Sequence, residues 1–470
     1  MEFNYHLSSG GNLLGVVPLH RPAASAKQTN WIRFLTAASL FDGHDAAINI
    51  MRRILQASGA EVIPLAHNRS VQDIVEAAVQ EDVDAIAISS YQGGHIEFFK
   101  YLVDRLRELD AGHIKIFGGG GGVIIPDEID ELHAYGVSHI YSPADGQNIG
   151  LQGMIDDMLA RCADGEQRPS APDLGELAKG DRLLLTRAIT AIENAGYSRS
   201  ELEKLVKLAE KTRNTPTLGV TGTGGSGKSS TTDELIRRFR QDSNDSLKIA
   251  VLAIDPTRKK TGGALLGDRI RMNAISHPNI FMRSIATRSA VVEIPEKLGE
   301  ILCALKVSQF DLIIIETPGI GQGDAGIVPF VDTSLYVMTP EFGAASQLEK
   351  IDMLDYADVF AINKYDRKGS EDAIRDVAKQ VQRNREAFSQ QAQDMPVFGT
   401  IASKFNDDGI TALYQAVLGE LRQHGLSGFE SQLQKLESKV SSHRSLLIPA
   451  QRQRYLAEIA EVVRDYHDQT

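Results

Sequence analysis

Cysteine is nearly missing from these 470 residues, with only Cys162 and Cys303 present. Two thiols cannot build a disulfide framework or a structural zinc site, and their scarcity suits a reducing cytosol. Long apolar runs are missing too: no stretch approaches the roughly 18 consecutive residues of a membrane span. The opening MEFNYHLSSGG lacks a basic region leading into an apolar core, so no secretory leader is expected. Positive charge is in deficit. The 62 acidic and 50 basic side chains give a formal net charge of −12, which argues against a general nucleic-acid surface. Any phosphate ligand therefore needs local capture by backbone groups. What is present, 42% hydrophobic and 24% charged residues, excludes disorder, collagen and coiled coil and leaves a globular cytoplasmic enzyme of about three domains.

Residues 1–30 are rich in Gly, Ser, Pro and Ala without period and read as a flexible lead-in. From 31 to 160 the chain alternates strand-length apolar runs (IRFLTAA, EVIPL, DAIAIS, HIKIF, SHIYS) with amphipathic stretches such as AINIMRRILQASG. Repeated βα units of this kind predict a flavodoxin-like, Rossmann-type sheet of five parallel strands. Residues 161–213 read as a linker followed by two helices. A second α/β run, 214–422, carries TLGVTG, KIAVLAID, DLIIIET, TSLYVMT, DVFAIN and PVFGTIA. The remainder, 423–470, is expected to be helical. Phe429, Leu433, Leu436 and Val440 make one stripe, Pro449 interrupts, and Tyr455, Ile459, Val462 and Tyr466 make another.

The segment GTGGSGKS, Gly222–Ser229, follows a strand and opens a helix, as a P-loop must. Its small residues, Gly225, Ser226 and Gly227 among them, let successive N–H groups wrap a phosphate. Lys228 then reaches the β and γ phosphates, the Ser229 hydroxyl can ligate Mg²⁺, and Ser230 stands next in the nucleotide-binding set. NKYD, Asn363–Asp366, follows another strand and decides the base. The Asp366 carboxylate can accept two parallel hydrogen bonds from guanine, Asn363 can meet the other purine edge, and the Lys364 stem, beside Tyr365, can cover the ring. GTP is the expected nucleotide, with ASK, Ala402–Lys404, as the loop closing over its base.

Mg²⁺ needs oxygen ligands shared between carboxylates and phosphates. Asp255 and Glu316 end strands at the P-loop edge, and Asp268 lies in TGGALLGDRIRM with Arg269 and Arg271. Lys228, Asp268 and Glu316 are the candidate catalytic residues. ETPG, Glu316–Gly319, stands where small GTPases carry D-x-x-G, but Ile320 occupies the position of the water-orienting Gln of Ras-like proteins. Slow basal hydrolysis is expected, with Gln322, Asp324 or a partner group orienting water.

The first domain places FDGHD, Phe41–Asp45, after its first strand, SSYQGGH after its third and FGGGGG after its fourth. Ligands bind at such strand ends. Asp42 can take the hydrogen bond of one nitrogen of His44 and leave the other free for a metal. The glycines at 118–122 would admit a large flat ligand close to the backbone.

FDGHDAAINIMRRIL, SSYQGGHIEFFKYLVD and HIKIFGGGGGVIIPDEI resemble the cobalamin-binding domain of acyl-CoA mutases, with Ala47 in place of the final Gly of D-x-H-x-x-G. LAIDPTRKKTGGALLGDRIRM and ETPGIGQGDAG are similar to the G-protein chaperones of methylmalonyl-CoA mutase. The two in this order resemble the fused isobutyryl-CoA mutases. The resemblance implies adenosylcobalamin held with His44 as lower cobalt ligand, Asp42 behind it, and Ser90, Gly118 and Gly119 along the nucleotide tail. It further implies Mg²⁺ on Ser229, Asp268 and Glu316, a second near Asp255 and Thr317, and Arg271 facing GTP. An acyl-CoA-binding barrel, absent after residue 422, would be met in cis or in trans, and a homodimer is expected. The competing readings are a stand-alone GTPase chaperone for cobalamin, and a GTPase with a flavodoxin-like interaction domain that binds no cobalamin.

Overall fold

The computed structural model describes residues 31–163, 168–258, 260–288, 294–319, 324–343, 348, 351–442, 459–460 and 462–466. Thirteen strands are found among them: β1 Arg33–Ala38, β2 Glu61–Pro64, β3 Ala85–Ser89, β4 Lys115–Gly119, β5 His139–Tyr141, β6 Thr217–Gly222, β7 Ile249–Asp255, β8 Ala264–Leu265, β9 Ile280–Ala286, β10 Leu312–Glu316, β11 Thr333–Met338, β12 Val359–Asn363 and β13 Val397–Thr400. Most are continuous buried apolar runs, as expected for parallel strands covered on both faces.

The first sheet has the order β5-β4-β3-β1-β2-β8, with every neighbour parallel. Its first five strands are the flavodoxin-like set. The sixth comes from the other half of the chain: Glu61 pairs with Ala264 and Val62 with Leu265, so the segment after β7 completes the edge of the first domain. The second sheet, β13-β12-β11-β6-β10-β7-β9, is likewise parallel and contains all the strands expected of the nucleotide fold.

The described part of the connection between the sheets is packed on the second one. Asp181 caps the helix Arg182–Glu193 through the N–H groups of Leu183 and Leu184, and Ser198 and Glu201 form a capping box on the helix Arg199–Lys211. Leu185, Ile189, Ile192, Leu202 and Leu205 of these helices join one apolar core with Ala250 and Leu252 of β7 and Phe281 of β9.

A buried lattice of charges crosses between the halves. Arg33, at the start of β1, donates to Glu61 at 2.8 Å and to Glu193 of the connecting helix at 3.3 Å. Arg283 of β9 reaches Glu193 at 2.7 Å, and Arg288 reaches Glu61 at 2.7 Å. Burial opposes ionisation of Glu61, but Arg33 and Arg288 outweigh it and hold the carboxyl well below its usual range. Removing one member strands its buried partner, at a cost of about 3–5 kcal/mol.

The apolar stripe Phe429–Val440 is not a helix. Residues 424–442 run as an irregular strap across the second domain, with Phe429, Leu433 and Leu436 packed on its core. Spacing by three and four suited a helix, but the backbone donors find better partners in the domain. Gln432 and Leu433 N–H groups bind Asp242, Leu436 N–H binds Gln415, and Val440 pairs with Gly399 beside β13. Ile459, Val462 and Tyr466 are helical and exposed, whereas Pro449 and Tyr455 lie outside the described residues. No helix among the described residues is long and apolar enough to cross a membrane.

Candidate functional site

The first site lies where the strand order of the first sheet reverses, at the carboxyl ends of the neighbouring strands β1 and β3. The loop after β1 bends at Phe41, whose φ of 64° lies in the left-handed region. That bend turns Asp42 inward and His44 outward: the Asp42 carboxylate is buried while the His44 ring is 77% exposed. Asp42 Oδ1 accepts from the His44 N–H and meets His44 Nδ1, both at 2.8 Å, and Oδ2 accepts from the Tyr91 N–H of the β3 loop at 2.6 Å. Burial works against the Asp42 anion, but the Tyr91 and His44 donors outweigh it and hold its pKa below the usual value. With Nδ1 committed to this anion, Nε2 is left as a lone-pair donor facing out of the sheet. Exposed apolar side chains stand on the same edge: Phe41 in this loop, and Val123 and Ile125 after β4. A metal carried by a broad, largely apolar ring fits this arrangement.

A side chain at Gly118 would meet Ile140 at 2.4 Å and Phe99 at 2.6 Å, and one at Gly120 would meet the Ser90 carbonyl at 2.0 Å. Packing within the domain therefore requires glycine at both positions. Gly119 is half-buried beside the Tyr141 carbonyl. Ser90 is fully buried, its hydroxyl paired with Ser39 at 2.9 Å, while the Ser89 hydroxyl is buried without a partner.

The second site is built on β6. Gly222 ends that strand at φ 143°, and a Cβ there would lie 1.9 Å from the Val337 carbonyl of β11. Gly225 and Gly227 continue the turn at φ 74° and 91°, conformations that glycine adopts without strain. The helix Lys228–Asp242 then points its free N–H groups at the loop, a ready site for an anion. Lys228 Nζ lies 3.0 Å from the Gly222 carbonyl, folded back over the loop. Ser230 is exposed on the first turn.

Beneath the loop the carboxylates converge. Ser229 Oγ lies 2.9 Å from Asp268 Oδ1 and 2.7 Å from Glu316 Oε1. One hydroxyl hydrogen cannot serve both carboxyl groups. Burial and the neighbouring Asp268 raise Glu316 well above the usual carboxylate range. Asp255 is raised in the same way by burial, Asp268 and Glu316, against the Gly267 N–H that it accepts at 2.9 Å. Such crowding of negative charge calls for a cation. Among the described residues no three His, Cys, Asp or Glu side chains can hold a metal by themselves, so hydroxyl and phosphate oxygens would complete its shell. Glu316 Oε2, Thr223 Oγ1, Ser226 Oγ and Lys404 Nζ are buried without partners on the loops around this site, as expected where a ligand supplies them. Arg271 is exposed, 3.8 Å from Asp268. Thr317 is set apart: its hydroxyl is paired with Thr221 at 2.8 Å.

At the base end, Asn363 is buried and heavily used. Its amide donates to the Ser226 carbonyl at 2.7 Å and accepts from Ala402 N–H at 3.0 Å and Thr400 Oγ1 at 3.3 Å. Only one amide hydrogen remains for a purine acceptor. Lys364, at φ 59°, folds its ammonium onto the Gly225 carbonyl at 2.7 Å, and Asp366 is exposed, open to a base. Tyr365 packs its ring on Gly399. Asp324 opens the 3-10 turn Asp324–Phe330, while Ile320 and Gln322 lie outside the described residues.

The sequence reading missed Asp407. It accepts from the N–H groups of Ile401 and Ile410 and from Ser441 Oγ, tying the loop after β13 to the strap. Its only trace in the sequence is a capping position before an apolar helix.

Both halves of the chain match known protein families. Residues 32–143 match the B12 binding domain, and residues 185–454 match the methylmalonyl-CoA mutase-associated GTPase MeaB. The chain is 63% identical to a fused isobutyryl-CoA mutase of Cupriavidus metallidurans over 93% of its own length and 40% of that protein. It is 55% identical to a fused isobutyryl-CoA mutase of Nocardia farcinica over 96% of its length and 41% of that protein. It is 33% identical to a protein of Pyrococcus horikoshii named as a GTPase, covering 74% of it. The chain thus spans about two fifths of the length of the mutases it matches. Over more than half of its residues, the chain belongs to the MeaB family of methylmalonyl-CoA mutase-associated GTPases, here carried behind a B12-binding domain.

Proposed function

We propose that this chain binds adenosylcobalamin and hydrolyses GTP, and that the nucleotide cycle gates loading and release of the cofactor for an acyl-CoA mutase. The observation that carries the reading is the outward His44 Nε2, fixed from behind by buried Asp42, in a sheet whose edge strand belongs to the GTPase half. Asp42 fixes the tautomer and the orientation of the imidazole, so His44 is the residue that would hold cobalt. Phe41, Val123 and Ile125, exposed on this edge, would exclude water around the ring. When bound, adenosylcobalamin supplies the cobalt–carbon bond whose homolysis starts radical rearrangement.

In the second half, the backbone of Gly225–Ser229 and Lys228 would hold the phosphates, and Ser229, Asp268 and Glu316 would hold Mg²⁺, with Asp255 available to a second ion. Thr317 would have to leave Thr221 to join that ion. Arg271 is free to swing to the phosphates, and Asp366 selects guanine. The described residues form two open sheets, so the proposed interconversion of isobutyryl-CoA and n-butyryl-CoA needs a substrate barrel in cis or in trans. A homodimer is the proposed assembly.

The test is an optical titration with adenosylcobalamin, with and without a GTP analogue. Binding through His44 shifts the cobalamin spectrum to the base-off form with histidine bound, and His44→Ala abolishes that shift. The analogue changes the apparent affinity. An unchanged spectrum in the wild-type chain refutes the cobalamin reading, and equal affinity for GTP and ATP refutes the guanine reading.

A further inference from the structure

The segment that carries Asp268 is gripped on both sides by the B12-binding domain. Leu266 N–H donates to the Val62 carbonyl at 2.9 Å and Ala264 N–H to the Ala60 carbonyl at 3.1 Å, so β2 fixes the approach. On the far side, Arg269 is buried, and its Nε donates to Glu81 at 2.9 Å while Nη2 donates to Gln80 at 3.0 Å. Glu81 and Gln80 end the helix Val71–Glu81 of the first domain. Nη2 also reaches the Met282 carbonyl of β9 at 2.6 Å. Glu81 is itself fully buried, and it accepts from Ser284 N–H and Oγ at 2.9 Å. Between these two anchorages only Gly267 and Asp268 face the GTPase site, through Asp255 and Ser229.

We propose that Arg269 is a positioning residue: its pairing with Glu81 and Gln80 of the B12-binding domain places the Asp268 carboxylate for Mg²⁺ in the nucleotide site. Mg²⁺ demands near-octahedral geometry at about 2.0–2.1 Å, so a carboxylate displaced by a fraction of that distance ceases to be a ligand. The first domain thereby acts on the nucleotide without touching it. Loosening its grip on Arg269 lowers metal-assisted binding while leaving the P-loop and the base contacts in place. This inference rests on the reading of the second site as a Mg²⁺–GTP site.

The experiment measures the affinity of the full chain for a fluorescent GDP analogue, once in excess Mg²⁺ and once in EDTA. The ratio of the two affinities is the metal increment. Loss of partners behind a metal ligand costs about 10–100-fold in metal affinity, so Glu81→Gln is expected to cut the increment about tenfold and leave the EDTA affinity unchanged. Gln80→Ala removes one bond to Arg269 without stranding a charge and is expected to cut it a few-fold. It carries the test if Glu81→Gln does not fold. Arg269→Lys keeps the charge but not the fork, and is expected to fall between the two. A wild-type chain without nucleotide binding or without a metal increment defeats the reading of the site, and this inference with it. A wild-type increment that persists within twofold in Gln80→Ala and Arg269→Lys overturns the inference alone, as does an equal loss in Mg²⁺ and in EDTA.

Discussion

Asn363 separates two roles that the motif NKYD combines. Its side chain is almost fully buried and joins three loops: the P-loop at Ser226, the end of β13 at Thr400, and the base loop at Ala402. Asn363→Ala removes all three bonds. The Thr400 hydroxyl can rotate to another acceptor, but the Ala402 N–H and the Ser226 carbonyl lose this partner in a buried place. A stranded group costs about 1–3 kcal/mol, and each lost bond about 0.5–1.5 kcal/mol, so the whole change is expected to cost about 3 kcal/mol. Asn363→Asp is the internal control. Its carboxylate still accepts from Ala402 and Thr400, yet it sets an anion against the Ser226 carbonyl, 2.7 Å away in the native pair, and is expected to be no better than Ala. Asp366→Ala, at an exposed position, is expected to leave stability within about 0.5 kcal/mol and to lose the preference for GTP over ATP. Urea unfolding of the three variants, followed by circular dichroism, together with competition between GTP and ATP, reads both effects. The reasoning is refuted if Asn363→Ala unfolds at the wild-type midpoint, or if Asp366→Ala keeps its guanine preference.

Three further perturbations follow from the geometry. Asp42→Asn keeps the shape but removes the anion behind His44, so cobalamin affinity in a spectral titration is expected to fall about 10–100-fold while the helix content stays unchanged. Gly222→Ala forces a methyl onto the Val337 carbonyl at a φ of 143°, and soluble chain is expected to lose GDP binding in calorimetry. Glu316 and Asp255 have raised pKa values in the folded state, so the folded chain keeps protons that the unfolded chain releases. Metal-free stability is therefore expected to fall as pH rises from the usual carboxylate range toward the raised values. Stabilisation by Mg²⁺ and GDP should grow over the same window, and Glu316→Gln should flatten both trends in melting curves taken at several pH values.

Much of the molecule can be read from the chain because its signals are local. The P-loop announces itself through glycines whose conformation no other residue adopts cheaply, and the parallel strands through unbroken apolar runs such as DLIIIE. The Asp42–His44 pair could be inferred because both partners lie in one five-residue loop. What escaped was long-range. Arg33, Glu61, Glu81, Glu193, Arg269 and Arg283 look like ordinary surface charges when read one by one, and only the meeting of two domains buries them. β8 is two residues in a Gly-rich stretch, with no period to betray a strand. The strap defeats the helical reading because its apolar spacing satisfies either a helix or an extended path over a curved core, and the tertiary partners Asp242, Gln415 and Gly399 choose the latter. The packing need at Gly118 escaped as well, because nothing local says which neighbour occupies the space a side chain would need.

The shared strand also sets an order of events during synthesis. β2 leaves the ribosome long before β8, and the first domain's other strands are complete by Tyr141. At about 5–20 residues per second, the roughly 120 residues from there to β8 take on the order of 10 s, during which the β2 edge has no cover. An exposed, apolar strand edge is a template for pairing with a neighbouring chain. A fragment ending at residue 163 should therefore self-associate in sedimentation. On polysomes, where nascent copies lie side by side, that window is when this protein most needs a chaperone of its own.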